Sequence, residues 1–174
     1  MELIGKFIWF IVWYLWPALV AAFNGALLGY SPKVIIFWSF ASIVGSYLIM
    51  MFKENKAPDG LFLFFFYSIT IVGSVGALLA KLIDAGGVAI TLLVLMNGAL
   101  AGLTIPYLLP HRRHAVILAA ILSGILVQQL RGPIPGVEAF VAAVVVGVIY
   151  RWLSSAGSQV TDAFDQLASF IVGG

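Results

Sequence analysis

The chain has 174 residues, of which 63% are hydrophobic and only 9% are charged, with a formal net charge of +2. A soluble domain carries roughly 25% charged residues, so this composition excludes a water-soluble fold and favours an integral membrane protein. The chain contains no cysteine, which excludes disulfides, thiolate metal sites and cysteine nucleophiles. The few positive charges are spread along the chain, so no nucleic-acid-binding face is predicted.

Six apolar segments approach the length of about 20 residues that a membrane-spanning helix needs. In chain order, the predicted spans are residues 7–29, 34–52, 61–80, 88–109, 115–130 and 137–153. The fifth span is the shortest and ends in Gln128 and Gln129, so a re-entrant segment is an alternative that would move the C-terminus to the opposite side. The sequence therefore predicts an all-α, polytopic membrane protein in which residues 1–153 form a six-helix transmembrane domain.

The first span contains three tryptophans and one proline. Trp9, Trp13 and Trp16 have the i, i+4, i+7 spacing that places them on one face of a helix. This stripe predicts either a lipid-facing surface or a contact with a ligand or a partner chain. Pro17 lacks a backbone donor, so a kink is predicted in this span.

The fourth span repeats a short motif of the first span, since residues 24–29 read NGALLG and residues 97–102 read NGALAG. Three is an odd number of spans, so the two copies would cross the bilayer in opposite directions. The halves 7–80 and 88–153 therefore form a possible 3+3 inverted-topology repeat. Such repeats place their functional sites near the bilayer midplane.

The glycines of this motif predict close helix packing. Gly25 with Gly29, and Gly98 with Gly102, form small-xxx-small pairs that let two helix backbones approach each other. Each asparagine would then hydrogen-bond across such a contact, for about 1 kcal/mol. A similar small-residue ridge runs along the sixth span at Ala139, Ala143 and Gly147.

The asparagines of the motif predict an alternative role, as the lining of a solute path. Asn24 and Asn97 would face each other and offer donors and acceptors to a small polar solute. The Asn-Gly-x-Leu-x-Gly runs resemble those in the two inverted halves of urea transporters, over about six residues in each half and without the Asn-Pro motif of that family. The resemblance implies a channel for a neutral solute, with Asn24 and Asn97 at the matching positions.

Ionisable and catalytic groups are scarce in the apolar segments. No lysine, arginine or carboxylate lies in the interior of a predicted span, and Asp84 and Glu138 fall at helix ends. Ion-coupled transport is therefore disfavoured, because intramembrane charges are its usual mark. No Ser–His–Asp order, glycine-rich phosphate loop or carboxylate pair is present, so neither enzymatic activity nor a cofactor is predicted.

The connector between the fourth and fifth spans holds a basic cluster, His111, Arg112, Arg113 and His114. Histidines three residues apart supply two metal ligands, but the arginines repel a cation and no third ligand lies nearby. No metal site is predicted. The cluster instead fits anionic lipid headgroups of the cytoplasmic leaflet.

The tail, residues 154–174, predicts an amphipathic helix after a short hinge. Its apolar stripe comprises Val160, Phe164, Leu167 and Ile171, whereas Asp162, Asp165 and Gln166 occupy the polar side. The tail has no lysine or arginine, which is wrong for a helix drawn to anionic lipid. The tail is therefore predicted to dock on protein, either another copy of this chain or a different membrane subunit.

Lysine and arginine counts predict the orientation, because cytoplasmic connectors retain positive charge. Six of these residues fall on the side of the N-terminus, namely Lys6, Lys53, Lys56, Arg112, Arg113 and Arg151, against Lys33, Lys81 and Arg131 on the other side. Both termini are therefore predicted in the cytoplasm, with the protein in the cell membrane, as an inner-membrane protein.

Three functional classes follow from these features. The first is a channel or facilitator for a small neutral polar solute, working as a homo-oligomer. The second is a non-catalytic or self-assembling, pore-forming subunit of a larger membrane complex. The third is a substrate-capture subunit of a vitamin-type importer.

Overall fold

The computed structural model describes residues 2–52, 58–112 and 114–172, and all regular secondary structure within these ranges is helical. In chain order the elements are α1 (Glu2–Phe10), a π-helical turn (Ile11–Leu15), α2 (Trp16–Leu27), α3 (Pro32–Phe52), α4 (Gly60–Leu82), α5 (Gly86–Leu108), α6 (Ala115–Arg131), α7 (Pro133–Ser155) and α8 (Ser158–Val172). The all-α prediction is confirmed.

Four described helices, α3, α4, α5 and α7, are long and apolar enough to cross a membrane. They correspond to the second, third, fourth and sixth predicted spans, and they indicate a membrane-embedded, multi-pass protein. The first predicted span forms α1, the π turn and the 12-residue α2, and the fifth forms the 17-residue α6. A bilayer crossing by these two shorter segments, and the inverted repeat, stay predictions.

The π turn lies directly ahead of Pro17 and accommodates its missing N–H group. Proline has no N–H, so the carbonyl of residue 13 loses the donor that an α-helix would supply. The turn widens before this point, and the N–H of Trp16 donates to the carbonyl of Ile11, five residues earlier. Pro17 then lies in the first turn of α2, where proline is tolerated. The irregularity that the sequence predicts therefore lies ahead of the proline.

The chain forms two compact units. The first, Met1–Gly60 with Asp162–Gly174, contains a hairpin of α2 and α3. Gly29 terminates α2 with φ at 74°, and the N–H groups of Tyr30 and Gly29 bond back to the carbonyls of Gly25 and Ala26. This paired hydrogen-bond pattern is a Schellman motif, in which glycine is the usual left-handed residue.

The second unit, Leu61–Thr161, contains α5, α6 and α7 packed against one another. A single residue, Gly132, joins α6 to α7, with φ at 99° and ψ at 179°. Only glycine adopts this conformation readily, and Pro133 then starts α7 with a φ suited to a helix. The one-residue link makes α6 and α7 an antiparallel hairpin.

Candidate functional site

The two motif asparagines occupy different surroundings in separate units. Asn24 in α2 is 7% exposed and has an interaction partner. Asn97 lies at the midpoint of the 23-residue α5 and is exposed. Its Nδ2 donates to the carbonyl of Leu93, one turn earlier, at 2.8 Å. Its Oδ1 accepts no hydrogen bond from the described part of the chain, so the carbonyl oxygen of this amide has no partner there.

Small residues hold α5 and α7 at backbone contact. A Cβ added to Gly102 would lie 2.7 Å from the Cα of Ala143 and closer still to its carbonyl oxygen. A Cβ added to Gly98 would meet Ala139 in the same way, at 2.8 Å from its Cα. The structure therefore brings together the glycine pair of the fourth predicted span and the alanine ridge of the sixth. No other residue type fits at these two glycine positions without moving a helix.

The glycine pair of the first motif copy, Gly25 and Gly29, does not form a backbone contact between helices. A Cβ added to Gly25 would lie 3.1 Å from Cγ1 of Ile35 in α3, which is a tight contact with a side chain. Gly29 has nothing within 4 Å of such a Cβ and instead terminates α2 through its positive φ. The two copies of the motif therefore have unlike environments, one at a helix end and one in mid-helix.

Most hydroxyl groups of the apolar helices bond within their own helices, and the exceptions are Ser74, which donates to the sulfur of Met96 in α5, and Ser123, which also reaches the carbonyl of Ala139 in α7. Ser42 donates to the carbonyl of Trp38, Ser46 to that of Ser42, and Thr70 to that of Phe66 at 2.8 Å. Every buried side-chain nitrogen and oxygen in the described residues has a hydrogen-bond partner. These hydroxyls therefore stabilise their own turns and do not form a shared polar path.

An open groove of about 220 Å³ lies between α6 and α7. It is lined by Ile121, Gly124, Ile125, Gln128, Gly136, Val137 and Phe140. Its lining is apolar apart from one amide, at Gln128, so the groove offers few groups that would orient a polar solute.

Stacked aromatic rings define one end of the second unit. Phe62 at the start of α4 stacks on Tyr107 near the end of α5, with ring centroids 4.0 Å apart. Phe65 contacts Tyr150 near the end of α7, edge to face, at 6.1 Å. The α5–α6 connector, which follows α5 directly, therefore lies at this same end of the unit.

The basic cluster occupies that end. His111, Arg112 and His114 are exposed, and Arg113 lies outside the described residues. Nη1 of Arg151 in α7 donates to the carbonyl of Arg112 at 3.1 Å, an anchor that sequence reasoning missed because 39 residues separate the two. Both acidic residues of this unit, Asp84 and Glu138, belong to its opposite end. The binding of anionic headgroups stays a prediction.

The tryptophan stripe is only partly described. Trp9 falls in α1 and Trp13 in the π turn, and their side chains lie outside the described residues. Trp16, at the start of α2, is half-buried and has an interaction partner. The stripe stays a predicted contact surface.

The tail helix α8 contacts Gly60 within the first unit. The N–H of Gly60 donates to Oδ1 of Asp165 at 2.6 Å, and a Cβ on Gly60 would collide with the carbonyl of Phe164. Val160 and Phe164 are half-buried, Leu167 is exposed, and the side chain of Ile171 lies outside the described residues. The structure thus adds a contact within the chain, through a carboxylate on the polar side of the tail.

Comparison of the chain with known protein families, with curated proteins and with solved structures found no match. Within the described residues, no group of three or more potential metal ligands lies together.

Proposed function

We propose that this protein is a non-catalytic, self-assembling component of a cell membrane, with six spans and both termini in the cytoplasm. The observation that carries the proposal is the backbone contact of Gly98 and Gly102 in α5 with Ala139 and Ala143 in α7. Helices in such contact leave no room for a solute between them. Contacts with other copies would therefore use the outer surface of this bundle, where the amide of Asn97 is exposed.

The distribution of large and small side chains over the apolar helices indicates how the bundle packs. Large apolar side chains are exposed along α3, α6 and α7, and the buried positions of α5–α7 are rich in alanine and glycine. Without a hydrophobic driving force in lipid, helices associate through such small residues and through polar groups. The small residues are used in contacts within the second unit, and such close packing suits a solid bundle better than the enclosed pocket that an importer subunit needs.

Helix length supports six spans. The helical run of residues 2–27 is continuous through its π turn and extends about 39 Å at 1.5 Å per residue. The 17 residues of α6 lie at the lower limit of about 17–25 residues for a span. A crossing by both segments returns the chain to the side of its N-terminus.

Native mass spectrometry of the protein in mild detergent tests the assembly. We expect one closed stoichiometry built from copies of this chain alone. A monomer at every concentration would contradict the proposal. Foreign chains in fixed ratio would also contradict it, and would indicate a subunit of a mixed complex.

A second candidate function is a channel for a small neutral solute that runs between copies. The exposed amide of Asn97 at the midpoint of α5 favours it, because this group is placed to meet a solute outside the packed bundle.

We expect urea to enter proteoliposomes faster than protein-free liposomes, and Asn97→Leu to remove the difference. Gln129→Leu removes an exposed amide near the end of α6 and serves as the matched control. Equal rates with and without protein would eliminate the channel and leave the assembly proposal standing.

A further inference from the structure

The amide of Asn97 is exposed at the depth where an amide is least tolerated. It lies at the midpoint of α5, a helix long and apolar enough to cross a membrane. Hydrocarbon offers no hydrogen bonds, so an amide turned toward lipid there is unfavourable. One Nδ2 hydrogen is bonded to Leu93, which leaves the second hydrogen and Oδ1 without a partner among the described residues. These two groups need an occupant that supplies one acceptor and one donor.

Asn97 occupies a face of α5 that its neighbours within the second unit leave open. Gly98 and Gly102 face α7, and Met96 faces Gly73 of α4, at 2.7 Å from where a Cβ on that glycine would lie. Ile90, Asn97 and Thr104 follow one another at intervals of seven residues, on a third face. Ile90 is 38% exposed, Asn97 is exposed and Thr104 is half-buried. A spacing of seven suits a shallow crossing with a second helix.

We propose that a second copy of this chain packs on this face across a two-fold axis along the membrane normal, with Asn97 facing Asn97 of the second copy. The free Nδ2 hydrogen of each amide donates to Oδ1 of the other, which makes two reciprocal hydrogen bonds. This interface rests on the self-assembly proposed above and names where it occurs.

The depth of Asn97 in the membrane and the hydrogen-bonding groups of its amide favour a second copy of this chain as the partner. Rotation about an axis along the membrane normal keeps every residue at its own depth, so an amide at the midpoint of α5 meets an identical amide. An amide is self-complementary, because it carries both a donor and an acceptor. Asn24 already has an interaction partner, and Gln128 and Gln129 lie near the end of α6, away from its midpoint.

Disulfide trapping tests the interface, because the chain contains no cysteine of its own. We expect Asn97→Cys, oxidised in native membranes, to form a covalent dimer, since a disulfide needs Cα atoms roughly 4.4–6.8 Å apart. Leu95→Cys is the matched control, since Leu95 is 36% exposed on the same helix but roughly 200° around it. The control should stay monomeric on the same gel.

Native mass spectrometry of Asn97→Leu gives a second readout that needs no cysteine. We expect dimer affinity to fall roughly tenfold, as for the loss of interhelical hydrogen bonds in a membrane, and Asn97→Gln to retain part of it. A homo-oligomer that traps through Leu95→Cys and not through Asn97→Cys would overturn this interface while the proposed self-assembly stands. A monomer in both experiments would overturn both proposals.

Discussion

Glycine at two positions sets the distance between α5 and α7. Gly98 and Gly102 lie against the backbone of Ala139 and Ala143, so each added methyl group would meet peptide atoms that cannot rotate away. Gly87, in the first turn of the same helix, has nothing within 4 Å of an added Cβ. The same substitution should therefore have opposite effects at these two positions of α5.

Gly102→Ala should destabilise the protein by about 3 kcal/mol, because overpacking of a close contact forces the helices apart. Gly87→Ala should stabilise it by up to about 1 kcal/mol, through the better helix propensity of alanine. Thermal unfolding of both variants in one detergent measures the difference. A Gly102→Ala variant as stable as the unchanged protein would show that the two helices are not in backbone contact.

The sequence was sufficient to identify the small-residue ridges but not to pair them. Gly98-xxx-Gly102 and the ridge at Ala139 are visible as spacings, whereas their mutual contact depends on how α5 and α7 pack. Gly29 shows that the spacing alone can mislead. Its four-residue separation from Gly25 predicts a helix contact, whereas its positive φ ends α2. Pro32, three residues after it, was the available signal, because proline often follows a terminating glycine.

Helix boundaries were predictable at the scale of the element because glycine, proline and charge cluster between the apolar runs. The predicted fifth span, 115–130, differs from α6 by one residue, and the predicted second span, 34–52, begins two residues inside α3. The π turn was not predictable, because Pro17 indicates an irregularity but not which turn absorbs it. The contact of α8 with Gly60 was not predictable either, because its hydrogen-bonded residues are 105 positions apart.

The Asp165 carboxylate should hold α8 in place, because it accepts the Gly60 N–H at the first turn of α4. We expect Asp165→Ala to raise amide hydrogen exchange in α8 severalfold. Asp162→Ala, which removes an exposed carboxylate one turn earlier on α8, should leave exchange unchanged. Equal exchange in the two variants would mean that the carboxylate of Asp165 does not anchor the helix.

Charge at the scale of the whole molecule predicts which side of the membrane each connector faces. Within the second unit, the end near Tyr107 carries His111, Arg112 and Arg151 and no carboxylate, whereas Asp84 and Glu138 belong to the other end. Cytoplasmic connectors retain such positive charge. The composition was enough to predict a multi-pass helical protein, but the number of crossings depends on two segments, the interrupted helix of residues 2–27 and the 17-residue α6.

Single-cysteine labelling should establish the topology. If α6 and α7 both cross, a membrane-impermeant maleimide should label His111→Cys and Ser155→Cys only after the cells are permeabilised. Ile83→Cys and Ile134→Cys, both at highly exposed positions, should react in intact cells. Labelling of His111→Cys and Ser155→Cys from opposite sides would mean that one helix of the α6–α7 pair does not cross.

The one-residue link at Gly132 also constrains how the protein is made. Arg131 ends α6 and Pro133 begins α7, so no flexible connector separates the two helices. With both helices crossing, we expect α6 and α7 to enter the membrane together as one hairpin, because no loop is present to extend between them. Arg131 and Glu138, near its tip, should then be carried across in the same step.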